Sequence, residues 1–211
     1  MAATASPYGL VPVKNADGSA YNGARDAFPI LSSTGNIGYG TVVFLNAGLV
    51  NLSVKSGSAN DGNNFGAATN IGALGGSSLT ALGVFVGCEY INAQGQLIFD
   101  QYYPSGTTNA TAYVVTDPGV TFQAQADAPV AQALLGRNTF FADTPGATDS
   151  ISTSTGKSVL AVDATAVDTT AGFKIVGFSD RGESAVGDLF TDVLIKFNNN
   201  YHAFANGDVT S

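Results

Sequence analysis

The sequence predicts an all-β fold, a β-barrel or a β-sandwich with long loops, and three observations carry that expectation. Short apolar runs alternate with clusters of Gly, Asn, Asp, Ser and Pro, the pattern of strands and their turns. Several runs alternate apolar and polar residues at period 2, so that one face is buried and the other is wet. Glycine punctuates a chain rich in β-branched and aromatic residues, and only 11% of its 211 residues are charged.

In chain order, strands are expected at Leu10–Lys14, Ala27–Leu31, Thr41–Leu45, Leu49–Lys55, Gly83–Ile91, Gln96–Tyr103 and Ala112–Thr116. They continue at Val120–Ala126, Thr139–Ala142, Val159–Val162, Gly172–Phe178 and Leu189–Phe197. In the run from Val120 to Gln125 the apolar and polar residues fall on opposite faces. The final strand does the same, with Val193, Ile195 and Phe197 on one face and Asp192 and Lys196 on the other. Asp17-Gly18, Asn22-Gly23, Gln94-Gly95, Asp117-Pro118-Gly119 and Asn206-Gly207 supply turn chemistry between them. One short helix is expected near 128–135, where Asp127 offers an N-cap, Pro129 sits in the first turn and Gly136 terminates. Residues 56–78, rich in Gly, Asn and Ser, read as a long loop, and Asp143–Lys157 as a second. Residues 1–14 are expected to form an extended N-terminal arm, and residues 15–211 a single β-rich domain.

Composition narrows the function. The chain carries one His and one Cys, and its formal net charge is −8. Reactive sites draw on His, Cys, Lys or clustered carboxylates with tuned pKa values, and here that pool is nearly empty. No catalytic residue, cofactor or metal is expected. The eight basic residues are scattered singly, so neither nucleic acid nor an anionic membrane is an expected partner. No apolar run reaches the roughly 20 residues of a spanning helix. The opening residues lack the basic and apolar regions of a secretory signal. A lone Cys88 in an apolar stretch reads as a small buried hydrophobe in a chain made in a reducing cytoplasm.

Candidate motifs give way to plainer readings. Gly156-Lys157-Ser158 ends like a phosphate loop, but Ile151 stands where the first glycine belongs and a strand follows. The glycines of Gly35-Asn36-Ile37-Gly38-Tyr39-Gly40 precede a strand, the wrong context for a dinucleotide. Asn15, Asp17, Ser19, Tyr21, Gly23 and Asp26 match calcium-loop spacing, yet Ala20 occupies the glycine position and no helices flank it. His202 and Cys88 are the only base and thiol available for a nucleophilic pair, and no nucleophile elbow occurs. Glu89 and Glu183 are far apart in sequence, so no glycosidase-like acid pair is signalled. Ser179–Ser184 concentrates charge as a hairpin tip or partner contact.

The N-terminal residues Ser6-Pro7-Tyr8-Gly9-Leu10-Val11-Pro12-Val13-Lys14, followed by Tyr21-Asn22-Gly23, resemble a family of tailed-bacteriophage virion proteins described as head decoration or cement proteins. Gly83-Val84-Phe85-Val86-Gly87 with Glu89-Tyr90, and Ala112 through Pro118, fit the same pattern. So do Lys174 through Phe178 and Asp192 through Asn199. The resemblance implies a β-rich subunit, often trimeric, made in the host cytoplasm, that binds the major capsid protein lattice on the capsid exterior. A tail-tube or other tail subunit and a cell-surface carbohydrate-binding module are the alternatives. Absent tryptophan counts against the latter. Expected interface residues are Pro7, Tyr8, Leu10, Val11 and Val13 in the arm, Arg181 in the charged turn, and Tyr201 and His202 near the C-terminus. The apolar arm is expected to dock on a neighbouring subunit or on the capsid lattice, because leaving it in water is costly.

Overall fold

The computed structural model describes residues 5–32, 34–52, 81–142, 151–165, 171–179, 184–199 and 202–204. The loop expected at 56–78 lies outside them. The fold is all-β, and among the described residues the named strands pair antiparallel. The strands in order are β1 Val11–Lys14, β2 Asp26–Pro29, β3 Ile37–Gly38, β4 Val42–Asn46, β5 Leu49–Leu52, β6 Ala81–Ile91, β7 Leu97–Asp100 and β8 Tyr102–Tyr103. They continue with β9 Thr111–Val115, β10 Thr121–Gln125, β11 Asn138–Thr139, β12 Ile151–Ser152, β13 Lys157–Ser158, β14 Phe173–Phe178 and β15 Asp192–Phe197.

A five-stranded sheet has the order β1-β10-β15-β14-β11, and a six-stranded sheet the order β2-β9-β6-β4-β5 with β7 also on β6. Two-stranded ribbons β3-β8 and β12-β13 complete the set. The two large sheets share a sandwich core. Phe122, Phe173, Ile175, Val193, Ile195 and Phe197 enter it from the five-stranded sheet, and Val42, Phe44, Ala81, Val84 and Val115 from the six-stranded one. Phe197 lies edge-on to Phe122 with ring centroids 5.7 Å apart, an arrangement that suits the ring quadrupoles. A second core forms on the opposite face of the six-stranded sheet, from Val43, Leu82, Phe85, Cys88, Ala112, Val114 and residues packed on them.

The N-terminal segment is not a free arm. Val11 and Pro12 pair with Gln123 and Phe122 of β10, and Leu10 is fully buried in the sandwich core. The Leu10 amide donates to the Gly40 carbonyl at 3.0 Å, the Ser6 amide to Gln125 Oε1 at 2.8 Å, and the Tyr8 hydroxyl to Asp192 at 3.0 Å. Gly9 makes the clasp possible. Its φ is +73°, and a Cβ there would lie 2.5 Å from the Ser158 side chain and 2.7 Å from the Gly40 carbonyl oxygen. Of the apolar anchors, Leu10 is buried by its own chain, while Pro7, Tyr8, Val11 and Val13 are half-buried along the five-stranded sheet.

Three further expectations are corrected. The helix near 128–135 is a single 3-10 turn, Gln132–Leu134. The backbone before it is committed elsewhere. The Asp127 amide donates to Val162, the Val130 amide to the Thr191 hydroxyl, and the Val130 carbonyl accepts from Gly187. Asp127 also spends its carboxylate on the Ala164 amide at 2.9 Å instead of capping. The strand expected at Val159–Val162 forms only isolated bridges, from Val162 to Ala126 and to Phe141. The strand expected at Gln96–Tyr103 is two elements, β7 and β8, which pair with different partners.

Replacing Leu10 with Ala should lower folding stability by about 2–5 kcal/mol, the cost of an unfilled core site. Deleting residues 2–13 should destabilise the fold itself rather than leave an intact core. Urea denaturation followed by circular dichroism checks both.

Candidate functional site

Among the described residues, the expected site residues do not converge. Pro7 and Tyr8 are half-buried along the five-stranded sheet, with the Tyr8 hydroxyl also accepting from Gln123 Nε2 at 3.1 Å. Leu10 is core, and Val11 and Val13 are half-buried within β1. Arg181 and Tyr201 lie outside the described residues. His202 is fully buried near the C-terminus, bridged to Ala81 at the start of β6. Its ring meets Phe197 with centroids 5.1 Å apart and Phe204 at 6.2 Å. Nδ1 accepts from the Phe204 amide at 3.2 Å, and Nε2 has no partner among the described residues. Burial lowers its pKa to about 4, with Asp117 pulling the other way.

Cys88 is equally unavailable. It lies in the second core, its thiol is 3.5 Å from the Tyr102 carbonyl, and burial, helped by the nearby Asp100 carboxylate, raises its pKa to about 12. The two residues pack against different cores, so the structure does not assemble them as a nucleophile and base. Among the described residues no group of three or more His, Cys, Asp or Glu is placed to hold a metal ion. The calcium-like spacing at Asn15 is a turn: the Gly18 amide donates to the Asn15 carbonyl, and Asn15 Nδ2 points donors at Ser19 and Ala20.

What the structure brings together instead is a groove of about 490 Å³ on the six-stranded sheet. Its floor is Gly87 in β6, where a register shift against β9 interrupts the ladder. Phe99 of β7 and Tyr113 of β9 wall it, and the Arg25 guanidinium sits 4.3 Å from the Tyr113 ring centroid. The Tyr113 hydroxyl donates to Glu89 at 2.8 Å, which raises its pKa. Sequence reasoning missed this place because Arg25, Phe99 and Tyr113 are brought together by pairing of β6 with β7 and β9 and of β2 with β9, and carry no motif. The period-2 pattern of Leu97 and Phe99 was the available signal, but alternation cannot say which face is wet.

Phe99 is 67% exposed, Leu97 57% and Ile91 53%. Ile91 pairs with Leu97, and Glu89 with Phe99, so these residues share one face of the β6-β7 hairpin. Comparison of the chain with protein-family models, with curated proteins and with solved structures finds no match.

Two outcomes follow from the buried groups. His202 favours the neutral form when folded, so its stabilisation is present above the unfolded pKa near 6.5 and is lost as pH falls towards about 4. Full protonation would cost about 3 kcal/mol, and a His202→Leu variant should lose stability less steeply than wild type between those pH values. Urea midpoints across the window measure it. Cys88 should react with a disulfide reagent at pH 8 at least ~100-fold more slowly in the folded chain than in urea, because the thiolate is scarce and covered. Absorbance of the released thiol follows the rate.

Proposed function

We propose that this chain is a non-catalytic structural protein of a tailed-phage virion, a head decoration or cement subunit that binds the assembled capsid lattice from outside. It is made in the host cytoplasm and acts as a homo-oligomer. The observation that carries the reading is where the chain puts its chemistry. The one thiol and the one imidazole are buried and held neutral, while large apolar side chains such as Leu97, Phe99, Leu135 and Leu189 face outward. A surface of that kind suits broad protein contact better than turnover.

The resemblance supports the same reading. Its quoted segments lie largely in the strands that build the sandwich: β1, β6, β9, β14 and β15. A ligand that prefers the assembled shell to free subunits stabilises the shell by mass action.

The groove over Gly87 favours a second reading, a carbohydrate-binding module, because Phe99 offers an exposed aromatic face beside polar groups, with Tyr113 stacked under Arg25 in the same lining. A tail subunit is the alternative within the virion.

Adding the purified protein to capsids that lack it should give saturable occupancy and raise the temperature at which the shells come apart. No binding to shells, with binding to tails, would move the protein to the tail. Binding to a glycan array that is lost in Tyr113→Ala would favour the carbohydrate reading.

A further inference from the structure

We infer that β7 is an interface to a second copy of this chain, formed by antiparallel edge-to-edge pairing about a two-fold axis centred on Ile98. The inference begins with how the other edges of the two large sheets are treated. The outer edge of β2 carries Pro29, and β1 carries Pro12 and the exposed Lys14, missing donors and a charge that discourage pairing. The Val13 carbonyl of β1 is already taken by the Tyr21 amide at 3.1 Å. β5 is covered, because the Leu31 amide donates to the Val50 carbonyl at 2.9 Å. β11 is only Asn138 and Thr139. β7 has none of these protections over Leu97, Ile98 and Phe99, and among the described residues it pairs only with β6.

The ladder says which backbone groups of β7 have no partner among the described residues. The Asn92 amide donates to the Gln96 carbonyl at 2.9 Å, closing the hairpin. Antiparallel bonding alternates from there, so Ile98 and Asp100 turn their amide and carbonyl groups towards β6. Leu97 and Phe99 turn theirs towards the open edge.

That arrangement fits a second copy of itself. With Ile98 opposite Ile98 of the second copy, Leu97 of each chain faces Phe99 of the other, and both of these pairs can exchange their outward hydrogen bonds. The same register stacks Leu97 on Phe99 across the junction on the exposed face that also holds Ile91. It sets Asp100 opposite Gln96 of the second copy, not against the other Asp100. Gln96 uses its amide oxygen on Asn92 at 3.0 Å, which leaves its NH₂ group to meet that carboxylate. A slip of one residue would turn the apolar pair to the wrong face. The pairing is isologous, as a two-fold contact must be.

This two-fold order differs from the trimer implied by the phage resemblance, and it rests on the edge alone. A protein that dimerises through β7 but ignores capsids would defeat the proposed function and leave this inference standing; the converse holds equally.

Sedimentation equilibrium of the full chain from roughly 5 to 500 μM, a range bracketing micromolar affinity, tests the order. A dimer is expected, weakened at least tenfold by Phe99→Lys and unchanged by Ala27→Lys on the β2 edge. Leu97→Glu serves if circular dichroism shows Phe99→Lys to be misfolded. In a Cys88→Ser background, Ile98→Cys should cross-link to itself on mild copper-phenanthroline oxidation, because residues opposed at a non-hydrogen-bonded position lie about 4.5 Å apart at Cα. Asp100→Cys should not. A monomer throughout, a trimer, a dimer indifferent to Phe99→Lys and Leu97→Glu, or a dimer in which Ile98→Cys fails to cross-link would each overturn the inference.

Discussion

The rest of the structure depends on one strand being buried on both sides. β6 is the longest strand among the described residues, and it sends Ala81 and Val84 into the sandwich core while Leu82, Phe85 and Cys88 enter the core behind it. A strand with two dry faces must be apolar at consecutive positions, and Ala81 through Val86 contains no polar side chain. β6 pairs with β4, β7 and β9, so it is also the organiser of the six-stranded sheet. Close approach is part of this role. A Cβ on Gly83 would lie 2.0 Å from the Val115 carbonyl oxygen, so no larger residue fits without moving β9. β6 thus supplies side chains to both cores, one on each of its faces.

The all-β class and most strands were legible because the physics that forms them is local. β15 shows this best: its buried residues, Val193, Ile195 and Phe197, fall where period-2 alternation puts them, and Asp192 and Lys196 stay on the opposite face. β6 was legible for the opposite reason, an unbroken apolar run too short for anything but a strand or buried segment. The errors occurred where distant hydrogen bonds outvoted local propensity. Asp127 through Gly136 contains good helix-starting chemistry, but Val162, Thr191 and Gly187 claim its backbone groups first. β3, β12 and β13 are two residues each and leave no periodic trace.

The candidate site was much less legible than the fold. Tyr8 and Leu10 looked like partner anchors because sequence shows that an apolar segment needs cover without showing what covers it. Here the cover is β10 and the Gly40 carbonyl. The groove was invisible for a related reason. Arg25, Gly87, Phe99 and Tyr113 come from four separate stretches, and only the registers of β6 against β7 and β9 and of β2 against β9 make them adjacent. His202 kept its place as a singular residue, but its environment of Phe197 and Phe204 gives the imidazole an apolar setting in place of a contact surface.

The same six-stranded sheet passes from dry to wet along its length, and that gradient limits how the molecule can meet others. Val115 and Tyr113 lie on one face of β9, yet Val115 is in the sandwich core and Tyr113 sits in the open groove. Beyond it the face continues to Phe99 and Leu97. The five-stranded sheet therefore covers only part of the apolar face it packs on. A net charge of −8 keeps copies apart at long range, but at ~0.1 M salt that repulsion fades beyond about 10 Å. At contact distance the deciding forces are apolar burial and backbone pairing, both of which need a matching partner geometry. Charge would then set how often encounters occur, while the part of the sheet left uncovered by the described residues would set which encounters last.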